Sequence, residues 1–245
     1  MRSGTEHSFF AANGRARTRT YARALAADFQ YTTHPGSGGA PGGPGEARRG
    51  RPPLIAAPMR LEAGLISSAA PRLEVWRTGA GRRHARRRAA SLALAAGNGS
   101  VLVLGFGGGL DPAGTAGEAV VGERIIGPDH GRLALEGAGE LAAFLRAHGL
   151  PARAGTVASV TRPALGAARN RLFRAGALVA DMESIWLLDS LPATRCAVVR
   201  IVADTPADGL WRPWRGLASF LRAARALRVC AAALEQWTGP GPAII

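Results

Sequence analysis

The fold is decided by residues 100–112, which read Ser-Val-Leu-Val-Leu-Gly-Phe-Gly-Gly-Gly-Leu-Asp-Pro. A short apolar run that ends in glycines is typical of a strand buried on both faces of a sheet. Similar apolar runs lie on both sides of it and alternate with segments of helical composition. This alternation predicts an α/β domain in which a largely parallel central sheet is flanked by helices.

The other predicted strands and helices follow the same alternation along the chain. Apolar runs predict strands at 54–57, 73–77, 119–121, 123–126, 156–160, 177–180 and 196–202. Helical composition is found at 61–68, 82–96, 136–147, 163–174, 184–190 and 215–237. Ligands of open α/β sheets bind outside the carboxyl ends of the strands, so residues that follow strands are the candidates for a site.

The first fifth of the chain differs in composition from the rest. Residues 34–45 read His-Pro-Gly-Ser-Gly-Gly-Ala-Pro-Gly-Gly-Pro-Gly, which cannot bury a core. We expect residues 1–50 to be a disordered extension or a mis-assigned gene start. Residues 53–237 are expected to form the domain, with a flexible tail at 238–245.

The charge balance is strongly basic, with a formal net charge of +14. All 31 basic residues are arginine and none is lysine, which is typical of codon bias in a GC-rich genome. A basic chain would otherwise suggest a polyanion partner. The net charge is therefore not taken as evidence of a polyanion partner, and no nucleic-acid partner is expected.

The cysteines and the apolar runs favour a cytoplasmic protein. Cys196 and Cys230 both stand among apolar residues, which predicts two buried free thiols. No CxxC or His/Cys cluster suggests a metal site. No apolar run approaches the roughly 18 residues of a membrane-spanning helix, and a secretory signal is not evident.

Three predicted strands end in residues that could carry chemistry. The glycines of 105–109 would let a backbone approach an anion or a sugar closely, or they form only a tight turn. The sequence Asp181-Met182-Glu183 follows a strand, where a carboxylate could chelate the two hydroxyls of a ribose or cap a helix.

Two further carboxylates complete the set of candidates. Asp204 follows the last strand, where it starts a turn or, when protonated, donates to a purine ring nitrogen. Glu62 follows the first strand, where it is a surface helix glutamate or positions a water or a sugar hydroxyl.

Taken together, these residues resemble the superfamily of purine nucleoside phosphorylases and methylthioadenosine/S-adenosylhomocysteine nucleosidases. The likeness spans about Leu54 to Glu235, and five motifs occur in the family's order. They are 57–62 (Ala-Pro-Met-Arg-Leu-Glu), 78–81 (Thr-Gly-Ala-Gly), 105–110 (Gly-Phe-Gly-Gly-Gly-Leu), 181–184 (Asp-Met-Glu-Ser) and 200–204 (Arg-Ile-Val-Ala-Asp).

The resemblance implies a fold, a reaction and a set of site residues. The fold would be the three-layer nucleoside phosphorylase type with a mixed, largely parallel sheet, and the reaction would be cleavage of an N-glycosidic bond. Asp204 would protonate the purine, Glu62 would orient the water or the sugar, and Glu183 would bind the ribose hydroxyls. Further substrate contacts are implied at Asp181, Met182, Met59, Phe106, Gly107, Gly108, Ser159 and Val160. Phe106 stands where nucleosidases often carry serine.

Within the superfamily, the chain is most similar to the hopanoid-associated phosphorylases. The features are Gly109-Leu-Asp-Pro112, Asp181-Met-Glu-Ser184 and Val202-Ala-Asp-Thr-Pro206. This resemblance implies adenosylhopane, a lipid-linked adenine nucleoside, as substrate. It implies no cofactor beyond inorganic phosphate as a co-substrate, and a homo-oligomer. The sequence Trp211-Arg-Pro-Trp214 before an arginine-rich helix suits peripheral contact with the inner membrane face, and the alternative for the helix is ordinary core packing with solvated arginines.

Several alternatives remain open at the level of sequence. The chain could be a nucleosidase of the methylthioadenosine/S-adenosylhomocysteine type, or a degenerate relative that binds nucleosides without turnover. A nicotinamide- or flavin-dependent oxidoreductase is disfavoured, because Asp111-Pro112 interrupts the glycine pattern that such enzymes need before a helix. A basic nucleic-acid-binding protein is the remaining class.

Overall fold

The computed structural model describes residues 52–128, 131–206 and 213–237. The predictions for residues 1–50 and 238–245 lie outside this part of the chain. In order, the strands are β1 (Leu54–Ala57), β2 (Val75–Arg77), β3 (Val101–Gly109), β4 (Ala119–Ile126), β5 (Arg132–Ala134), β6 (Ala152–Ser159), β7 (Ala177–Asp181) and β8 (Cys196–Asp204). The helices are α1 (Arg60–Ala69), α2 (Arg82–Ala96), α3 (Ala138–Ala147), α4 (Ala167–Arg174), α5 (Ser184–Leu188) and α6 (Pro213–Leu234), with a short 3₁₀ turn at Ala193–Arg195.

The strands form one mixed sheet, as the sequence predicts. Its order is β2-β1-β3-β7-β6-β4-β5, and β8 pairs with both β3 and β4. Five of the eight pairings are parallel, and the antiparallel ones are β3 with β7, β4 with β5 and β4 with β8. Strands β3, β8, β4, β6 and β7 therefore close into a ring, which brings the ends of β3, β7 and β8 together.

Helices cover both faces of the sheet and complete three layers. On one face, α1, α3 and α6 bury residues such as Ile66, Leu141 and Leu227 in one cluster, where α6 packs on β8 and β3 and α3 packs on β4 and β6. On the other face, α2 and α5 bury Leu92 and Trp186. Since both faces are covered, the strands read as continuous apolar runs rather than alternating ones.

The structure corrects the prediction in several places. The glycines of 105–109 lie within β3, which runs on to Gly109 and pairs with β8 and β7 instead of forming a loop. Strand β6 begins at Ala152, and the three-residue β5 has no clear sequence signal. Helix α4 begins only after Gly166, whose positive φ of 48° is not helical.

Within the described residues, no helix has the combination of length and apolar character that crossing a membrane requires.

Both cysteines are buried and free, which confirms the prediction. Burial raises the pKa of the Cys196 thiol to about 11 and that of Cys230 to about 12. Both thiols are therefore protonated and shielded in the folded protein. We expect iodoacetamide at about pH 8 to leave the native protein unmodified and to alkylate both cysteines in denaturant, as read by mass. Rapid alkylation of the native protein would contradict this placement.

Candidate active site

A fully buried arginine lies at the centre of the candidate site. Arg200 sits in the middle of β8 and turns its guanidinium toward the ends of β3 and β7. Its Nε donates to Asp181 Oδ2 at 2.8 Å, and its Nη2 lies 2.6 Å from the same oxygen. Nη2 also reaches Glu183 Oε2 at 3.5 Å and Ser184 Oγ at 3.0 Å. Glu62 adds a third charge close enough to act on the guanidinium. We call Glu62, Asp181, Glu183 and Arg200 the carboxylate cluster.

Asp181 anchors the guanidinium of Arg200. Its Oδ1 accepts from Ser159 Oγ at 2.6 Å, and its Oδ2 accepts from the hydroxyl of Ser184 as well as from Arg200. The Ser159 hydroxyl in turn accepts from Ile185 N at 3.1 Å. Both carboxylate oxygens are thus engaged inside the protein. The predicted contact of Asp181 and Ser159 with substrate stays a prediction.

Glu62 is buried in the first turn of α1, so it is not a surface helix glutamate. Its Oε1 accepts from Phe106 N at 2.6 Å and its Oε2 from Met59 N at 2.7 Å. Burial raises the pKa of the Glu62 carboxyl, and Arg200 and the two backbone N–H groups oppose that rise only in part. The residue therefore joins the end of β1 to the end of β3 by a carboxylate that can hold a proton.

Gly105 makes this close approach possible. A Cβ at Gly105 would stand 2.5 Å from Glu62 Oε1 and 3.0 Å from Arg200 Nη1. The glycine is thus required by the space on its side of β3, where the two charged groups lie.

Substitution of this glycine by alanine tests the contact. We expect Gly105→Ala to displace Glu62 or Arg200 and to lower the free energy of unfolding by about 1–3 kcal/mol, as overpacking does. Gly64→Ala in α1 is the matched control, because its Cβ would meet nothing within 4 Å. That change should raise stability by about 1 kcal/mol, since alanine favours a helix over glycine. Urea unfolding of both variants measures the difference, and equal effects would contradict the contact.

Glu183 links β7 to the start of α2. Its Oε1 accepts from Gly81 N at 2.7 Å, and its Oε2 accepts from Met182 N at 3.2 Å. Burial raises the pKa of the Glu183 carboxyl; Arg200 opposes this, and the charge of Asp181 adds to it. The cluster therefore contains one guanidinium and three carboxylates. Two of these, Glu62 and Glu183, hold a proton more readily than a glutamate in water.

The raised pKa values predict how stability depends on pH. Between the usual glutamate value of 4.5 and the raised value, the folded protein keeps a proton that the unfolded chain has lost. Stability contributed by Glu62 is therefore present at low pH and is lost as pH rises through the folded pKa. We expect the unfolding free energy of the wild type, relative to Glu62→Gln, to fall from about pH 5 to about pH 8. Urea titrations at several pH values check this, and a difference that stayed constant or grew would contradict it.

Asp204 lies apart from the cluster, at the end of β8. Its side chain is 48% exposed and forms an ion pair with Arg169 Nη2. Arg169 is itself buried on α4, and its Nε donates to Ala164 O at 3.0 Å. A Cβ on Gly108 would stand 3.4 Å from both Arg169 Nη2 and Asp204 Oδ1, so the strand backbone passes beside the pair. Four residues of strand separate Asp204 from Arg200, which is about 13 Å.

The other predicted site residues differ in their surroundings. The Phe106 ring packs in the core against Phe220, with centroids 5.4 Å apart, so that only its backbone faces the cluster. A Cβ on Gly107 would clash with Val179 at 2.5 Å, which leaves no space there for a larger residue. Met59, which is 39% exposed, lies at the protein surface, and its N–H donates to Glu62.

Val160 and Met182 are both partly buried beside the cluster. Val160 N donates to Asp181 O at 2.7 Å, which fixes the backbone at the end of β6. The structure therefore brings Glu62, Asp181 and Glu183 together and holds Asp204 at a distance. Substrate contact by each predicted residue stays a prediction.

Two residues of the site were not predicted from the sequence. Arg200 has a signal, because a single arginine interrupts the apolar run 196–202 and such a charge is buried only when it is paired. Arg169 has none, since it is one of several arginines in a basic helix. Among the described residues, no three histidine, cysteine, aspartate or glutamate side chains are placed to hold a metal ion.

The chain is similar in structure to solved nucleosidases, at low sequence identity. No protein-family model matches the sequence, and no curated protein does. The futalosine hydrolase of Helicobacter pylori is 15% identical, with a TM-score of 0.59 over 74% of this chain and 95% of that one. The 5'-methylthioadenosine/S-adenosylhomocysteine nucleosidase of Neisseria meningitidis is 15% identical, with a TM-score of 0.60 over 75% and 98%.

A third solved structure covers the largest share of this chain among the three. The 5'-methylthioadenosine/S-adenosyl homocysteine nucleosidase of Campylobacter jejuni is 14% identical, with a TM-score of 0.62 over 77% of this chain and all of that one. At this identity the likeness is one of fold, and this chain shares with these neighbours the fold of a mixed sheet flanked by helices.

Proposed function

We propose that this chain cleaves the N-glycosidic bond of a purine nucleoside. The observation that carries the proposal is the pair of features along β8: the buried carboxylate cluster around Arg200, and Asp204 about 13 Å further along the strand. The proposal places the ribose at the cluster and the purine toward Asp204. The fold that the chain shares with solved nucleosidases supports the same reaction class.

The ribose is proposed to bind over the carboxylate cluster. Glu183 and Glu62 each accept hydrogen bonds from backbone N–H groups, and each carboxylate oxygen has a further lone pair for a sugar hydroxyl. Asp181 serves as anchor, because Ser159, Ser184 and Arg200 already engage its oxygens. Met182 and Met59 are the apolar groups beside the sugar.

The chemistry follows from the excess of negative charge in the cluster. As the N-glycosidic bond breaks, its electron pair leaves with the base and positive charge develops on the ribosyl C1'. Buried carboxylates stabilise that charge strongly in a site shielded from water. A water or phosphate oxygen then bonds to C1', and Glu62 takes the proton when water is the nucleophile.

Asp204 is proposed to protonate the leaving purine at N7. The expelled base is a poor anion, so general acid catalysis lowers the barrier. In the free protein Asp204 pairs with Arg169, so binding of the purine would replace this contact. A chain in which that exchange does not occur would bind nucleosides without turnover, which is the second candidate function.

The proposed substrate is adenosylhopane, with a nucleoside of the methylthioadenosine/S-adenosylhomocysteine type as the alternative. The support for adenosylhopane is the resemblance of residues 109–112, 181–184 and 202–206 to the hopanoid-associated phosphorylases. The solved neighbours include 5'-methylthioadenosine/S-adenosylhomocysteine nucleosidases, which supports the alternative. A homo-oligomer in the cytoplasm, in peripheral contact with the membrane, completes the proposal.

Mass analysis of the reaction products tests the reaction and the substrate together. Purified protein is incubated with adenosylhopane or methylthioadenosine, each with and without inorganic phosphate. We expect free adenine from adenosylhopane, with a sugar product that shows whether water or phosphate attacked. Adenine from methylthioadenosine alone would establish the alternative substrate. No base from either nucleoside would overturn the proposed reaction.

A further inference from the structure

Exposed leucines are concentrated at one place on the surface. The described residues include six large apolar side chains that are exposed. Three of them belong to the N-terminal halves of α1 and α6: Leu61 at 51%, Leu217 at 54% and Leu221 at 59% exposure. We call these three leucines the apolar rim. Leucines exposed together on two neighbouring helices are unusual and point to an interaction surface.

The apolar rim lies at the same end of the molecule as the candidate site. Helix α1 follows β1 and α6 follows β8, and both strands run parallel to β3. The two helices pack against each other. The Phe220 ring in α6 also meets the Phe106 ring in β3, whose backbone contacts Glu62. Anything that covers the apolar rim therefore lies at the end of the molecule that carries the candidate site.

On α1 and along 216–234 of α6, the exposed charged side chains are all positive. Along 216–228 the ionisable residues are Arg222, Arg225 and Arg228, and all three are exposed. In α1, Arg60 is exposed next to Leu61, and the only acidic residue, Glu62, is buried. The surface thus combines leucines in the N-terminal half of α6 with arginines that follow them in the same helix.

We propose that the apolar rim and its arginines dock on an anionic lipid bilayer. Leucines exposed on a helix enter the boundary between headgroups and acyl chains, while arginines bind the headgroups. The charges argue against a second copy as the occupant. A two-fold contact through this face would set the arginines of one copy against those of the other, with no exposed acid in these stretches to separate them.

Membrane docking through the apolar rim adds to the proposed function. Its role in catalysis depends on that proposed function. A lipid-linked nucleoside is anchored in the bilayer by its apolar part, and only its polar end can reach a protein site. Docking through the apolar rim would turn the end of the molecule that carries the candidate site toward the membrane. The side chains of Trp211 and Trp214, which the sequence suggests as membrane contacts, lie outside the described part of the molecule.

Vesicle sedimentation with a leucine variant tests the apolar part of the surface. The full chain is mixed with vesicles of phosphatidylcholine, alone or with phosphatidylglycerol, at about 0.15 M salt. The double variant Leu217→Gln/Leu221→Gln should bind the anionic vesicles at least about tenfold more weakly than the wild type. Leu94→Gln is the matched control, because Leu94 is 76% exposed in the last turn of α2, at the opposite end of the sheet. It should bind like the wild type.

An arginine comparison tests the charged part. Arg225→Gln/Arg228→Gln should weaken binding to anionic vesicles about fivefold per arginine. Arg83→Gln/Arg86→Gln, on the exposed and equally basic face of α2, should leave it unchanged. A loss confined to the α2 variant would move the docking surface to α2 and overturn the proposal.

The remaining outcomes also decide the question. Wild-type protein that ignores anionic vesicles would overturn the proposal, as would a dimer in light scattering that the two leucine changes dissociate. Vesicle binding needs no turnover. Binding without base release would leave the surface in place and overturn the proposed reaction, and base release without vesicle binding would do the reverse.

Discussion

Replacement of Arg200 by methionine is expected to lower the free energy of unfolding by about 3–5 kcal/mol. The change leaves three buried carboxylates around a site with no cation, and the Asp181 oxygens lose the guanidinium that they hold at 2.8 Å or less. Such a loss is a large fraction of the stability of a typical domain, about 5–15 kcal/mol. Urea or thermal unfolding of the purified variant measures it.

The pH dependence separates this effect from a simple packing defect. Without Arg200 the carboxylates repel one another most when they are ionised, so the loss of stability should grow as pH rises from about 5 to about 8. Arg83→Met on the exposed face of α2 removes the same charge and should cost about 0.5 kcal/mol or less. A loss for Arg200→Met that matched this control would show that the cluster does not depend on its arginine.

Replacement of Asp204 by asparagine is expected to reduce the turnover of a purine nucleoside about 100- to 10,000-fold. Asparagine keeps the shape and an acceptor for Arg169, but it cannot donate a proton to the base as an acid does. Because Asp204 is half-exposed, the variant should unfold at nearly the same temperature as the wild type. Steady-state kinetics together with thermal unfolding measure both properties.

A control variant and a second Asp204 variant complete the test of Asp204. Asp189→Asn, an exposed carboxylate at the end of α5, should keep wild-type turnover. Asp204→Ala should lose base release as Asp204→Asn does. Near-wild-type turnover by either Asp204 variant would remove this residue from the chemistry, whatever the reaction proves to be.

The layer architecture could be predicted because the burial of each strand between two layers of helices leaves an apolar run in the sequence. Apolar runs such as 101–104 and 196–202 are needed wherever a strand is covered on both faces, and helical segments separate most of them. Strand β5 could not be predicted, since three residues paired only with β4 need no apolar pattern of their own. The glycines of β3 were misjudged for a related reason. Glycine weakens an isolated strand, but here neighbouring side chains fill the space that a Cβ would take.

The site could be predicted only in part. Its carboxylates stand directly after strands, where ligands of α/β sheets bind, and this made Glu183 and Asp204 visible in the sequence. That β7 runs antiparallel to β3 and still ends beside it could not be predicted. The partners of those carboxylates depend on tertiary distances. That Arg200 would gather Asp181, Glu183 and Ser184, or that Arg169 would reach Asp204 from α4, follows from packing that no local pattern records.

Phe106 shows the limit of position-by-position comparison. Its place in the sequence suggested an apolar side chain at the point of nucleophilic attack. In the structure the ring packs in the core against Phe220, and the backbone N–H is what meets Glu62. Side chains alternate across a strand, so the neighbouring positions Gly105 and Gly107 are the ones that face the cluster, and both are glycines.

Base release from a purine nucleoside is the most direct measurement of the proposed reaction. Free adenine is quantified by chromatography after incubation of adenosylhopane, methylthioadenosine or adenosine with the wild type, Glu183→Gln or Asp204→Asn, each shown to be folded. The predicted result is adenine from at least one nucleoside with the wild type and a loss of at least about 100-fold in both variants. No adenine from any nucleoside with folded wild-type protein, or equal release by the variants, would contradict a carboxylate-dependent cleavage of the N-glycosidic bond.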